Sequence, residues 1–183
     1  EDGSIDYSLT NKLPMSLRRA IEASKAGKSK ILILMNPPYA EATNADNTAK
    51  GAGEAKNKSG VAKETNVAQY CMAGYGKATN ELFTQFIARI AKEIPNATLA
   101  MFSTLKYVNA PNFEEFRKKW NAEYLGGFVV HSKAFDGLKG NFPIGFLVWQ
   151  TNNKEDAKKM PINEVSCEVL DKEARACGEK TFH

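Results

Sequence analysis

Residues 30–39 read Lys-Ile-Leu-Ile-Leu-Met-Asn-Pro-Pro-Tyr, and this stretch decides the fold. Residues 30–35 include a short unbroken apolar run, which is typical of a strand buried on both faces, as in a parallel sheet. Asn36-Pro37-Pro38 ends the run, because proline has no N–H to donate to a central ladder. The stretch therefore predicts a buried strand that leads directly into an ordered turn.

Helices and further strands follow each other along the chain. Residues 14–25 predict a helix that stops near Gly27. Asn80 is expected to cap an amphipathic helix that Pro95 ends, and Asn112 is expected to cap another. Further strands are predicted at residues 97–102, 127–131, 144–150 and, as an edge strand or hairpin arm, 165–170. The alternation of strands and helices predicts an α/β sheet.

Composition narrows the class of protein. The chain has 183 residues and is 43% hydrophobic, which fits one domain with a real core. No apolar run approaches the length of a membrane span and no secretory signal opens the chain, so we expect a cytoplasmic protein without a membrane partner. Three scattered cysteines argue against a disulfide framework and against a metal site. The net charge of +4 permits a polyanionic partner.

The turn after the first strand carries residue types suited to one reaction. In open α/β sheets, ligands bind outside the carboxyl ends of the strands. An exocyclic amine on an aromatic ring is a poor nucleophile, and two acceptors on its N–H bonds would favour attack by its lone pair. Asn36 offers a side-chain carbonyl and Pro37 a backbone carbonyl, which the fixed φ of proline holds in place. Tyr39 adds a flat face for stacking. The alternative is an ordinary turn after a strand.

Asn36-Pro37-Pro38-Tyr39 resembles motif IV of amino-methyltransferases. Residues 80–120, from NELFTQFIARI to NFEEFRKKW, are similar to the helix–strand–helix that follows this motif in the N6-adenine DNA methyltransferases of restriction–modification systems. Residues 139–149, KGNFPIGFLVW, resemble motif VIII of that family, where a Phe-Pro pair leads into a strand. The resemblance covers roughly residues 30–150.

The resemblance implies a partial class I, Rossmann-like sheet and a site-specific adenine methyltransferase that uses S-adenosylmethionine and acts on double-stranded DNA. It implies that Asn36 and Pro37 bind the N6 amine. Tyr39 would stack on an adenine flipped out of the duplex, and Phe142 would contact the other side of the base. The implied catalytic residues are Asn36, Pro37, Pro38 and Tyr39. The predicted substrate-binding residues are Phe142, Lys106 and Lys139.

The family's cofactor site is not visible in the chain. No Gly-rich strand–turn–helix precedes Asn36. Ser4-Ile5-Asp6-Tyr7 is similar to motif III, in which an acidic and an aromatic residue flank the cofactor's adenine, so Asp6 and Tyr7 are candidate cofactor-binding residues. The alternative for Asp6 is a surface turn. We expect the cofactor-binding half to be largely missing, a missing N-terminal part of the same protein to be a partner, and the chain alone to be inactive.

We predict a catalytic half at residues 1–155 with a mobile loop at 40–78, and an extension at 156–183 that forms a hairpin or starts a further region.

Four lysines of this loop belong either to a solvated segment or to a DNA-backbone clamp: Lys50, Lys56, Lys58 and Lys63. His131 is interpreted as structural or as a substrate-rim residue. The alternative functions are methylation of protein glutamine or RNA guanine-N2, and a non-catalytic DNA-binding or specificity module. The DNA recognition sequence and the oligomeric state are left open.

Overall fold

The structure is a computed structural model that describes residues 14–38, 65, 67–136, 140–151, 162 and 164–183. The α-helices in these ranges are α1 (Met15–Lys25), α2 (Leu82–Glu93), α3 (Lys106–Asn109) and α4 (Glu114–Lys119). The strands are β1 (Leu32–Met35), β2 (Thr98–Thr104), β3 (Ala122–His131), β4 (Pro143–Thr151), β5 (Val165–Leu170) and β6 (Ala176–Phe182). Among the described residues, no helix is long and apolar enough to cross a membrane.

The strands form a six-stranded sheet in the order β1-β2-β4-β3-β5-β6. β1 pairs with β2 in parallel, and β3 pairs with β5 in parallel. The other three pairs are antiparallel. The prediction of an α/β fold is confirmed at the level of this mixed sheet.

Helices α2, α3 and α4 cover one face of the sheet, which we call the helical face. Its core joins Leu99 and Met101 of β2 to aromatic side chains of the helices and of β4. Trp149 and Tyr107 are both buried, and the indole Nε1–H of Trp149 donates to the Tyr107 hydroxyl at 3.0 Å. The indole N–H of Trp120 donates to the Ile87 carbonyl at 3.3 Å. Trp120, Trp149 and Tyr107 are therefore both desolvated and hydrogen-bonded.

The opposite face, which we call the open face, is covered much less. Phe102, Phe128 and Phe146 lie side by side across three strands and are half-buried. The centroid of the Phe146 ring lies 4.8 Å from that of Phe102 and 5.3 Å from that of Phe128. Leu32 and Leu34 are 69% and 70% exposed. Side chains alternate between the two faces of a strand, so these leucines share the open face with Phe102.

The expectation that residues 30–35 are buried on both faces was therefore wrong. β1 lies at one end of the strand order, and on its other side Ile33 and Met35 pack against the core. An apolar run indicates that a segment can be buried on both faces. The run does not indicate which elements pack against each face of the strand, and burial depends on those elements.

The helix starts also differ from the predictions. Asn80 ends a 3-10 segment (Gly76–Asn80), and Glu81 is the N-cap residue of α2 without a side-chain cap bond. Asn112 lies inside a 3-10 turn (Pro111–Phe113) that runs directly into α4. α4 continues directly from its preceding turn, whereas the extended backbone of Glu81 separates α2 from the 3-10 segment before it.

The segment predicted as a loop at 40–78 contains helical structure in its last part. Val67–Cys71 forms a π-helical turn and Gly76–Asn80 a 3-10 helix. Met72 and Ala78 are buried. This part of the segment has helical structure because Val67–Cys71 packs against α2 and Gly76–Asn80 packs against α2 and α4. Residues 39–64 lie outside the described ranges.

The C-terminal strands form a hairpin that extends the same sheet. β5 and β6 pair from Val165↔Phe182 to Leu170↔Ala176, and β5 joins β3 at Phe128↔Glu168. The Asp171 carboxylate closes the turn by accepting from the backbone N–H groups of Glu173 and Arg175, each at 2.9 Å. The predicted alternatives for this region included such a hairpin.

A tyrosine and a cysteine meet where β3 lies beside β5. The Tyr124 hydroxyl donates to the Ser166 carbonyl at 2.8 Å and lies 3.4 Å from the Cys167 sulfur. Burial raises the pKa of the Tyr124 hydroxyl, and the neighbouring thiol raises it further. Burial also raises the pKa of the Cys167 thiol, and the hydrogen bond to Tyr124 partly opposes that shift. The fold therefore favours the neutral forms of both groups.

Candidate functional site

The tetrapeptide motif begins at the carboxyl end of β1. Asn36 and Pro38 are exposed, and Pro37 between them is buried. β1 ends with Met35 paired to Met101 of the parallel strand β2, so the same register places Asn36 beside Phe102. Parallel strands end at one edge of a sheet, and we call this edge the carboxyl edge. A buried proline next to an exposed asparagine anchors the turn and directs the polar side chain outward. Tyr39 lies outside the described residues.

Strands β3 and β4 bring other residues to the carboxyl edge. β4 is antiparallel to β2 and begins there, with Ile144 opposite Thr104. β3 ends there, with His131 opposite Pro143. Phe142 precedes β4 and Lys106 follows β2. Two residues predicted to bind substrate therefore come to one edge although they are far apart in the sequence.

Phe142 is held by the serine that follows β3. The Ser132 backbone N–H donates to the Phe142 carbonyl at 2.9 Å, and the Phe142 N–H donates to Ser132 Oγ at 3.4 Å. Ser132 Oγ in turn donates to the Gly140 carbonyl at 2.8 Å. Gly140 has a φ of +115°, and a Cβ there would lie 3.2 Å from the Phe142 ring. The backbone around Phe142 is thus fixed from both sides.

Lys106 is fixed by an ion pair. Its Nζ lies 2.9 Å from the carboxylate of Glu81, and the two side chains are 47% and 9% exposed. Lys106 opens α3, and Arg117 of α4 braces the same helix by donating to the Tyr107 and Ala110 carbonyls at 3.3 and 2.9 Å. A nearly buried carboxylate thereby holds a partly exposed ammonium at the carboxyl edge.

Residues of this edge line a cavity of about 440 Å³. Its lining includes Lys106 and Phe142, so the structure brings two predicted substrate-binding residues together. The other residues that line it are Glu81, Thr104, Leu105, Asn109, Ala110, Pro143 and Phe182. Lys139, the third predicted substrate-binding residue, lies outside the described residues.

A second cavity of about 400 Å³ shares Phe142, Pro143 and Phe182 with the first and extends along β3 and the C-terminal hairpin. His131 also lines it. The Nδ1 atom of His131 accepts from the Lys133 backbone N–H at 3.1 Å and so closes the turn after β3. This contact gives His131 a structural role at the rim of the cavity.

The other predicted site residues either do not line these cavities or lie outside the described residues. Asn36 and Pro37 lie at the end of the neighbouring strand but do not line either cavity. Asp6 and Tyr7 lie outside the described residues, as do the loop lysines. Among the described residues, no group of three His, Cys, Asp or Glu side chains is placed to hold a metal ion.

Several residues of the first cavity carry no functional signal in the sequence, among them Glu81 and Phe182. Glu81 precedes an amphipathic helix, where an acidic residue is common for dipole reasons alone. Phe182 ends a run of mostly polar residues at the end of the sequence. No local pattern connects Glu81 to Lys106 or Phe182 to Phe142, because each pair comes together only through contacts between distant segments of the folded chain.

No protein-family model and no curated protein matches the chain. Solved structures are similar to parts of it. The DrdV–DNA complex has a TM-score of 0.45 and 14% identity, covering 78% of this chain and 15% of that chain. The ATP-dependent type ISP restriction-modification enzyme LlaBIII bound to DNA has a TM-score of 0.44 and 11% identity, covering 77% and 10%. A nuclease-deletion mutant of the type ISP enzyme LlaGI with a DNA substrate mimic has a TM-score of 0.45 and 12% identity, covering 86% and 16%. The chain spans about one sixth or less of the length of each.

Proposed function

We propose that this chain contributes the substrate-binding half of an enzyme that methylates the N6 amine of adenine in DNA. The observation that carries the proposal is the position of Asn36-Pro37-Pro38 at the carboxyl end of β1, with Asn36 exposed and Pro37 buried. This is the edge at which open α/β sheets bind ligands.

The chemistry follows from the acceptors at this turn. The Asn36 side-chain carbonyl and the Pro37 backbone carbonyl would accept the two N–H bonds of the target amine. Both hydrogen bonds strengthen as positive charge develops on the attacking nitrogen, and this stabilises the transition state. Because Pro37 is buried, the turn is ordered before the substrate arrives, so less entropy is lost on binding. The reaction needs no nucleophile from the protein.

Adenine in DNA is proposed as the substrate on the basis of the resemblance of residues 80–149 and the cavity at the adjoining strand ends. Phe142 offers an aromatic side chain and Lys106 a cation in one cavity. A flipped base needs a stacking surface, and the DNA backbone needs positive charge nearby. Phe142 lies at the edge that carries Asn36, and so does Lys106, whose ammonium is paired with the Glu81 carboxylate.

S-adenosylmethionine would supply the methyl group, but the described residues do not form a site for it. The turn that leads into β1 contains one glycine, Gly27, and follows a helix instead of a strand. A glycine-rich turn that binds a nucleotide cofactor follows a strand and opens a helix. We therefore assign the cofactor no contacts among these residues and derive no step through it.

A methylation assay tests the proposal. The chain and the complete product of its gene would each be incubated with cofactor carrying a tritiated methyl group and with duplex DNA, RNA or a glutamine-bearing protein. We expect the complete product to form N6-methyladenine in DNA, identified by mass spectrometry of the nucleosides. Asn36→Ala should lower the rate by about 100-fold or more, by analogy with the loss of one preorganised hydrogen-bonding group in other enzymes.

Asn112→Ala is the matched control, because Asn112 is an exposed asparagine away from the end of β1. Its rate should equal that of the unmodified protein. Label in RNA guanine or in protein glutamine would assign the same chemistry to another substrate. DNA binding without any methylation by the complete product would contradict the proposal and favour a non-catalytic DNA-binding module.

A further inference from the structure

The first cavity combines apolar walls with a charged group at one side. Leu105 is buried, and Ala110 and Phe142 are partly buried. The polar groups on its lining are Thr104, Asn109 and the Glu81–Lys106 ion pair. Its volume of about 440 Å³ lies within the range of about 300–1,000 Å³ that is common for small-molecule sites. Apolar walls with a few polar groups suit a flat molecule that has an aromatic face and a polar edge.

Phe182 is the contribution of the C-terminal hairpin to this cavity. It is the last residue of β6, is partly buried, and lines both cavities together with Phe142. Core aromatic residues such as Phe116 and Trp120 stack on each other, with ring centroids 5.3 Å apart. Neither Phe142 nor Phe182 is stacked on another ring within the described part of the chain. Both side chains line the two cavities, so part of each ring faces the space where the cavities meet.

The hairpin holds Phe182 in register with the rest of the sheet. Phe182 pairs with Val165, which is fully buried, and β5 is joined to β3 by a parallel ladder. A residue of a mobile tail would lose entropy on contacting a ligand. Phe182 has already lost most of that freedom on folding, which favours a binding role.

We propose that Phe182 binds the planar purine ring of the substrate together with Phe142 in this cavity. The inference rests on the proposed function, because it assigns the target base of that reaction to this cavity. Stacking of a base on an aromatic side chain is sequence-tolerant and is lost when the ring is removed. The N6 amine of the purine would point towards Asn36 and Pro37, which lie at the same edge of the sheet outside the cavity.

The test is a titration of the full chain with 2-aminopurine 2′-deoxyriboside, a fluorescent purine whose emission falls when it stacks. We expect saturable quenching. Phe182→Leu keeps an apolar side chain but removes the ring, and should weaken binding about fivefold or more. Phe128→Leu is the matched control, because it makes the same change at a half-buried phenylalanine of the open face. Its affinity should equal that of the unmodified chain.

A second measurement uses the unmodified chain and so does not depend on the folding of a variant. In amide NMR spectra, the purine should shift the signals of Thr104–Ala110, Phe142 and Phe182. Absence of saturable binding, equal affinity of Phe182→Leu and the unmodified chain, or shifts confined to other segments would each overturn the inference.

The two proposals fail separately. Purine binding needs no methyl donor, so Phe182-dependent binding without methylation by the complete product would contradict the proposed function alone. Methylation of DNA with an unchanged KM for DNA in Phe182→Leu would contradict the role of Phe182 alone.

Discussion

The two faces of the sheet differ in how completely they are covered. On the helical face, Trp149 and Tyr107 are almost wholly buried and are hydrogen-bonded to each other. On the open face, Phe146 and its neighbours are half-buried, and Leu34 is 70% exposed. Hydrophobic stabilisation scales with the apolar area removed from water. The difference indicates that the helical face supplies most of the stability, while the open face still exposes apolar area that could be buried.

The largest expected effect compares two residues of β4 that point to opposite faces. Trp149→Ala should lower the free energy of unfolding by about 3–5 kcal/mol, because it leaves a large cavity in the core. Phe146→Ala should cost about 1–2 kcal/mol, because its ring is already partly in water. Urea unfolding followed by circular dichroism measures both. Equal losses would show that the two faces contribute equally.

A smaller effect is expected from removing one oxygen atom on the helical face. Tyr107→Phe leaves the buried indole N–H of Trp149 without its acceptor, which should cost about 1–3 kcal/mol. Tyr124→Phe is the matched control, since it removes a hydroxyl from a tyrosine that is only partly buried and should cost less. Urea unfolding of both variants measures the difference. If Tyr107→Phe unfolds at the same urea concentration as the unmodified chain, the hydrogen bond does not contribute to the stability of this face.

The helical face should also lose stability at high pH. Burial raises the pKa of the Cys167 thiol and of the Tyr124 hydroxyl, whose ordinary values are 9.0 and 10.0. The unfolded chain therefore releases these protons at a lower pH than the folded chain does. The stability that these two groups contribute to the folded state is fully present below about pH 9. It is lost as pH rises through their ordinary pKa values towards the raised pKa values of the folded state.

Unfolding measured from about pH 7 to about pH 11, a range that spans the ordinary pKa values of both groups, checks this expectation. Tyr124→Phe should make the decline in the free energy of unfolding shallower. It should not abolish the decline, because burial also raises the pKa of Tyr75, which this variant retains. A decline of unchanged steepness in Tyr124→Phe would show that this hydroxyl is not one of the groups responsible.

The smallest effect is expected on the open face. Leu34→Thr replaces a side chain that is 70% exposed with another that suits a strand, so the free energy of unfolding should change by less than about 0.5 kcal/mol. Leu99→Thr, at a fully buried position of the neighbouring strand, is the contrasting variant and should be strongly destabilising. A loss of about 2 kcal/mol in Leu34→Thr, the cost of uncovering a buried leucine, would indicate that something covers this face in solution.

Much of the fold could be predicted from local patterns. The helix predicted at 14–25, the strands β1, β2, β4 and β5 and the hairpin alternative follow from periodicity and turn residues, whereas β3 was predicted only from residue 127 and begins at Ala122. The exposure of Leu32 and Leu34 could not be predicted, because an apolar run records what a strand can bury and not what lies opposite it. The strand order was also beyond local patterns, since β4 lies between β2 and β3 and no short-range signal fixes that insertion.

The residues of the candidate site likewise fall into two groups, those that a local motif indicates and those that it does not. Asn36 and Phe142 could be proposed from the sequence because each belongs to a short recognisable motif. Glu81 and Phe182 were not found, because their relation to Lys106 and Phe142 arises from contacts between distant segments. Local motifs therefore indicated the proposed reacting turn, and only the assembled sheet revealed the walls of the cavity.

Ser132 has a consequence for how this protein can change over evolution. Its bonds to Phe142 and Gly140 join the end of β3 to the start of β4 and close off the connection between them. Insertions within that connection would extend a closed loop without moving Phe142, and longer loops cost little additional entropy. The connection is thus a place where length can change while the aromatic residue beside it stays fixed.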